Sequence, residues 1–262
     1  MEKEEIVHLG GSIDNALKGE YYIDVKNVLQ EAWRITLQSR VSINFGLLFV
    51  IALGMLSTLV ASQFFGGMEK VTSDPQAFMM INILITLIVW PFLAGVEMMG
   101  VFHAVGLRTT PKLVFAFLKR GSWVAICALL TSTLVSIGLQ LLVLPGIFLV
   151  VALSLTIPLV VEKKLSPLKA ISVSVLATRF QWFKLFTIYS ILVLLLTAAL
   201  IPIVLTNGTD LSILAVMLFL FCLTYLVPLY YNVKGILYRE IFGMQLKAIE
   251  GAAVSNDNIF SA

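Results

Sequence analysis

A helix needs about 20 consecutive apolar residues to cross the hydrocarbon core of a bilayer, and this chain meets that requirement repeatedly. Apolar runs fall at 41–63, 78–104, 122–144, 146–161, 185–206 and 211–232, which predicts six transmembrane helices. The fourth run is the shortest. It carries Pro158 near its end and is separated from the third only by Pro145 and Gly146, a turn dipeptide, so the two are read as one helical hairpin. Of the 262 residues, 59% are hydrophobic and 13% charged, against about half and a quarter in soluble domains. That balance excludes an ordinary soluble domain, a disordered chain and a secreted disulfide scaffold. Cys127 and Cys222 lie inside apolar runs and make no disulfide framework.

Basic residues orient the spans, because cytoplasmic flanks retain Lys and Arg. Of the 18 Lys and Arg residues, all but Lys70 fall before the first span, between the second and third, between the fourth and fifth, or after the sixth. An even number of crossings gives that distribution, with both termini cytoplasmic. It also argues against a re-entrant fourth segment, which would change the parity. The first twenty residues are acidic and carry no cleavable signal pattern. The chain therefore divides into a cytoplasmic N-terminal tail (1–23), a single membrane domain (24–240) and a cytoplasmic C-terminal tail (241–262), whose last residues (251–262) are read as disordered.

Each odd-numbered span is preceded by a segment with helical patterning. In 24–40, Val25, Val28, Leu29, Ala32 and Trp33 form the apolar stripe of an amphipathic helix, with Asp24 as its N-cap. The second segment opens on Thr110-Pro111 and runs to Arg120. The third opens on Ser166-Pro167 and puts Leu168, Ile171, Val175 and Trp182 on one face. A Ser or Thr cap followed by Pro at the first helical position is a helix start with a mechanism. The expected fold is all-α: three transmembrane hairpins, each preceded by a cytoplasmic amphipathic helix. Such helices anchor span ends in the interface or form a platform for a partner.

The stretch 144–184 carries Leu144-Pro145-Gly146, Pro158, Ser166-Pro167 with Ala170, Ser174, Phe180 and Trp182. It resembles the membrane-domain family attached to some bacterial glycerophosphoryl diester phosphodiesterases, which also includes small stand-alone six-span inner-membrane proteins. The resemblance implies a bacterial inner (cytoplasmic) membrane and a six-span layout. It implies little chemistry, since the phosphodiesterase catalytic domain has no counterpart in the sequence.

Residues for catalysis are sparse. Only His8 and His103 are present, seven of the fifteen carboxylates lie within the first 31 residues, and no zinc, thiol-redox, nucleophile-elbow or phosphate-loop motif occurs. Gly10-Gly11-Ser12 matches a phosphate loop only superficially. No enzyme activity, cofactor, metal or nucleic-acid partner is expected, the net charge being only +3. Glu97 is the one charge deep in a span, and an ionisable group there is a candidate site by default. His103 lies six residues on, about 240° around the helix, so a partner for Glu97 must come from another helix, with Tyr225, Tyr230, Tyr231 and Asn232 of the sixth span as candidates. Pro91, Pro158, Pro202 and Pro228 are read as interruptions of four spans. Gly46, Gly54, Gly95, Gly100 and Ala104 are read as close-packing positions. Contacts to lipid headgroups or a protein partner are expected from Arg108, Lys112, Lys163, Lys164, Lys169 and Arg179. Two functions follow: a non-enzymatic membrane scaffold with a cytoplasmic helical platform, or a transporter or lipid-handling protein with a cavity around Glu97.

Overall fold

The computed structural model describes residues 5–248, and the tail at 251–262 read as disordered lies outside them. The described chain is helical apart from one pair of strands. Five segments are long and apolar enough to cross a membrane: Val25–Phe64, Pro75–Ala104, Pro111–Leu141, Pro167–Thr206 and Ser212–Phe242. Their surfaces are inverted relative to a soluble protein. Phe183 is 78% exposed and Val204 74%, together with many other large apolar side chains, a pattern that water penalises and lipid accepts.

In chain order the elements are β1 (Glu5–Leu9), α1 (Ile13–Lys18), α2 (Val25–Phe64), α3 (Met68–Ser73), α4 (Pro75–Ala104), α5 (Gly121–Leu141), α6 (Val143–Ala152), α7 (Thr156–Val161), α8 (Pro167–Thr178), α9 (Trp182–Thr206), α10 (Ser212–Phe242) and β2 (Met244–Ala248). They fall into two compact units. The first takes in the chain up to Asn44, Met99–Thr109 and everything from Leu176 on; the second takes in Phe45–Met98 and Thr110–Val175.

Several sequence expectations are corrected. The fourth span does not form as one helix. α6 stops at Ala152 and α7 restarts at Thr156. Ser154 Oγ donates to the Val151 carbonyl at 2.8 Å and Thr156 Oγ1 to that of Leu153 at 2.6 Å. These hydroxyls compete with the backbone ladder, and Pro158 has no N–H to give to the Ser154 carbonyl. From α8, Ser174 Oγ takes up the Ala152 carbonyl at 2.6 Å. The hairpin turn is also displaced. The chain reverses at Leu142, which is extended (φ −155°, ψ 135°), while Pro145 sits in the first turn of α6, where a missing N–H costs nothing. Gly146 serves close packing instead, since a Cβ there would meet Leu139 Cα at 2.7 Å.

The first amphipathic segment and the first span are one 40-residue helix, α2, because neither Gly nor Pro intervenes between Val25 and Phe45. At 1.5 Å per residue it is about 60 Å long, twice the hydrocarbon thickness. Its start is as expected, with Asp24 Oδ1 accepting from Asn27 N at 3.0 Å. The second segment forms only 3₁₀ turns at Pro111–Phe115 and Leu118–Arg120, and the Thr110 side chain makes no capping bond. The third forms α8, joined to α9 through a 3₁₀ turn at Arg179–Gln181. Pro91, Pro202 and Pro228 lie inside α4, α9 and α10, which run on through them. α10 continues ten residues past the predicted end of the sixth span, to Phe242.

The N-terminal tail is folded from Glu5 onward. β1 pairs antiparallel with β2, Glu5 opposite Ala248 and Leu9 opposite Met244. Gly10 and Gly11 then lie on the end of α10. Gly11 N donates to the Arg239 carbonyl at 2.9 Å, and a Cβ on Gly10 (φ +86°) would fall 2.1 Å from that oxygen. This backbone seat, not phosphate binding, is the use of the glycine pair. Tyr21 Oη donates to the Ala177 carbonyl at 2.7 Å, Gln181 Oε1 accepts from Ile23 N at 3.0 Å, and Gln181 Nε2 donates to the Tyr21 carbonyl.

Candidate functional site

The densest buried polar chemistry lies in the first unit, where α4 crosses α10. The crossing is made of backbone on backbone. A Cβ on Gly100 would stand 2.1 Å from the Tyr231 carbonyl oxygen, and one on Gly235 2.0 Å from that of Gly100. Small residues permit such approach between apolar helices. Three positions along each helix, His103 and Asn232 are thereby brought face to face.

Their hydrogen bonds fix one another. Thr36 Oγ1 of α2 donates to the Ala32 carbonyl at 2.7 Å, so it accepts from Asn232 Nδ2, 2.9 Å away. The Asn232 Oδ1 end then faces His103 Nδ1 at 3.0 Å, and His103 Nδ1 must be the donor, because an amide oxygen has no proton to give. In the neutral imidazole Nε2 is left as the acceptor, with Thr109 Oγ1 at 2.7 Å. Ser42 Oγ lies 2.8 Å from Thr109 Oγ1 and 3.1 Å from the Ser39 carbonyl. Each side-chain polar atom of this cluster has a partner. The result holds one tautomer and ties α2, α4, the segment after α4 and α10 together.

A second cluster locks the end of α10. Arg239 meets Glu31 of α2 through two bonds, Nη1 to Oε1 at 2.7 Å and Nη2 to Oε2 at 2.9 Å, and also binds Glu240 and the Ala104 carbonyl. A planar guanidinium suits this bidentate geometry. One turn before, Lys234 is only 4% exposed and its Nζ lies 5.7 Å from the centroid of the Tyr230 ring.

Of the residues singled out from sequence, His103 and Asn232 are brought together, but as partners of each other. Tyr225 stacks on Trp33 with ring centroids 6.1 Å apart, and the Arg40 guanidinium carbon stands 3.9 Å from its centroid. Glu97 is buried within α4, in the second unit. Arg108, Lys112, Lys164, Lys169 and Arg179 are exposed, and Lys163 is half-buried beside Glu162 at 3.2 Å. Thr36, Ser42, Thr109, Glu31 and Arg239 were not anticipated as site residues. The repeated spacing of a glycine three positions from a polar side chain, Gly100 with His103 and Asn232 with Gly235, is the signal that points to the crossing. Among the described residues, no three His, Cys, Asp or Glu side chains gather as a metal site would require.

Comparison with protein-family models, with curated proteins and with solved structures finds no match to this chain.

Proposed function

We propose that the chain is a non-enzymatic scaffold or interaction protein of the bacterial inner membrane. It crosses six times with both termini cytoplasmic, the broken α6–α7 pair supplying the fourth crossing. The resemblance of its 144–184 stretch to the bacterial membrane-domain family supports this reading. The observation that carries this reading is the contrast between closed and open polar groups. The buried groups at the α4–α10 crossing are consumed by one another, whereas Lys112, Lys164, Lys169 and Arg179 are exposed. Saturated groups build a rigid support, and exposed cations at membrane ends meet anionic headgroups or an acidic protein surface. α4, α9 and α10 run unbroken through Pro91, Pro202 and Pro228, so that discontinuities of the kind from which carriers build midplane sites are confined, among these spans, to the α6–α7 break.

Charge reversal at Lys163, Lys164 and Lys169 together tests the reading against Glu97→Gln. In cells that depend on the protein, the triple variant loses function while Glu97→Gln retains it. The reverse pattern overturns the scaffold reading and supports transport or lipid handling around Glu97.

A further inference from the structure

We infer that Arg40, seated on Tyr225, is a binding site for the phosphate of an anionic phospholipid. Trp33, Leu37, Arg40 and Val41 recur at the i, i+4, i+7, i+8 spacing of one helix face on α2, and Trp33, Leu37 and Val41 are exposed. α10 supplies Tyr225 and the exposed Phe221, whose ring centroids lie 5.4 Å apart. Asn44 Nδ2 donates to the Thr224 carbonyl at 2.9 Å and fixes the two helices against each other beside the site.

The Arg40 guanidinium uses its face, with Cζ 3.9 Å from the Tyr225 centroid. Its N–H donors lie in the guanidinium plane, at the edge, and a stacking contact does not consume them. Among the described residues, no carboxylate, carbonyl or hydroxyl accepts from them. The depth makes this consequential. Arg40 is the last charge before the apolar run of α2, and Tyr225 lies seven residues, about 10 Å along the helix, inside the predicted end of the sixth span. Donors at that level need acceptors that the apolar surroundings do not offer. A phosphate presents two oxygens to the guanidinium edge in a bidentate, charge-assisted pair, and its acyl chains continue along Leu37, Val41 and Phe221. This proposal rests on the membrane reading of α2 and names a contact that the six exposed or half-buried cations above do not include.

The test is lipid retention by the full chain, purified in neutral detergent and weighed by native mass spectrometry. The probes are phosphatidylglycerol and a diacylglycerol of the same acyl chains. Wild type retains phosphatidylglycerol and not diacylglycerol. Arg40→Gln lowers retention about tenfold, the equivalent of losing one charge-assisted contact. Arg40→Lys, which keeps charge without the fork, lowers it about threefold, and Tyr225→Leu, which removes the platform, falls between the two. If Arg40→Gln does not fold, the other two variants carry the test. Equal retention by wild type and variants, equal retention of diacylglycerol, or displacement of the lipid by millimolar inorganic phosphate overturns the site. A chain that stays monodisperse without detergent overturns the membrane reading beneath it.

Discussion

Two helix pairs of this protein pack closely by glycine, and they differ in everything else. At the α4–α10 crossing, Gly100 and Gly235 bring backbone onto backbone, and the space beside them is filled by His103, Asn232, Thr36, Thr109 and Ser42 in mutual hydrogen bonds. In the α5–α6 hairpin, Gly138 and Gly146 also meet, but the side chains nearest them are those of Leu139 and Leu149. Apolar contact brings helices together without choosing one rotation or register sharply. A polar cluster whose donors and acceptors match in a single arrangement does choose. The first pair is thus a fixed joint, and the second is packed chiefly by shape.

The largest test of that contrast is steric. Gly235→Ala puts a methyl 2.0 Å from the Gly100 carbonyl oxygen, which backbone cannot evade. A loss of about 3 kcal/mol or more is expected, read as a collapse of the melting temperature in detergent. Gly146→Ala loses less, because two of its three close contacts, at 2.4 and 2.5 Å, are the Leu139 side chain and only Leu139 Cα, at 2.7 Å, is backbone, whereas all three at Gly235 are backbone. Equal losses would erase the distinction between the two pairs.

A chemical test follows. Asn232→Leu leaves Thr36 and His103 without their buried partner and costs about 1–3 kcal/mol. Thr131→Val on α5 removes only a hydroxyl bonded within its own helix, to the Cys127 carbonyl at 2.9 Å, and shifts stability by less than about 0.5 kcal/mol. Melting curves of the two variants side by side decide whether polar closure matters more at the crossing.

A milder test concerns the N-terminal clamp of the first unit. Burial pushes the Tyr21 hydroxyl up to about 12, so the folded state favours its neutral form. A raised pKa contributes stability that is complete below the free tyrosine value near 10 and is lost as pH climbs from there to about 12. Tyr21→Phe forfeits the bond to the Ala177 carbonyl, worth about 1 kcal/mol, and flattens the fall of melting temperature across that alkaline window. A variant with the wild-type slope would place the titration elsewhere.

Five long apolar helices were legible because apolar runs of about 20 residues, the length that a bilayer core requires, recur along the chain. The helix start at Asp24 was legible from its cap, and that at Pro167 from proline at the first helical position. What escaped depended on partners distant in sequence or on competition within a turn. β1 and β2 lie more than two hundred residues apart, and neither short segment has strand character until the other is present. The break after Ala152 arises from Ser154 and Thr156 turning hydroxyls onto nearby carbonyls, which apolar counting does not register. His103 and Asn232 were both singled out, yet as companions for Glu97. Their true pairing depends on where Gly100 and Gly235 let two backbones touch, and a single helix's rotation does not contain that.

The account as a whole depends on the chain's cationic connections all lying on the cytoplasmic side of a membrane. Cysteine labelling measures this directly, in a chain whose Cys127 and Cys222 are replaced by alanine and which carries Lys70→Cys, Lys112→Cys or Lys169→Cys. A membrane-impermeant maleimide added to intact cells should modify Lys70→Cys alone and reach the other two only after permeabilisation. Labelling of Lys112→Cys or Lys169→Cys from outside intact cells would contradict it.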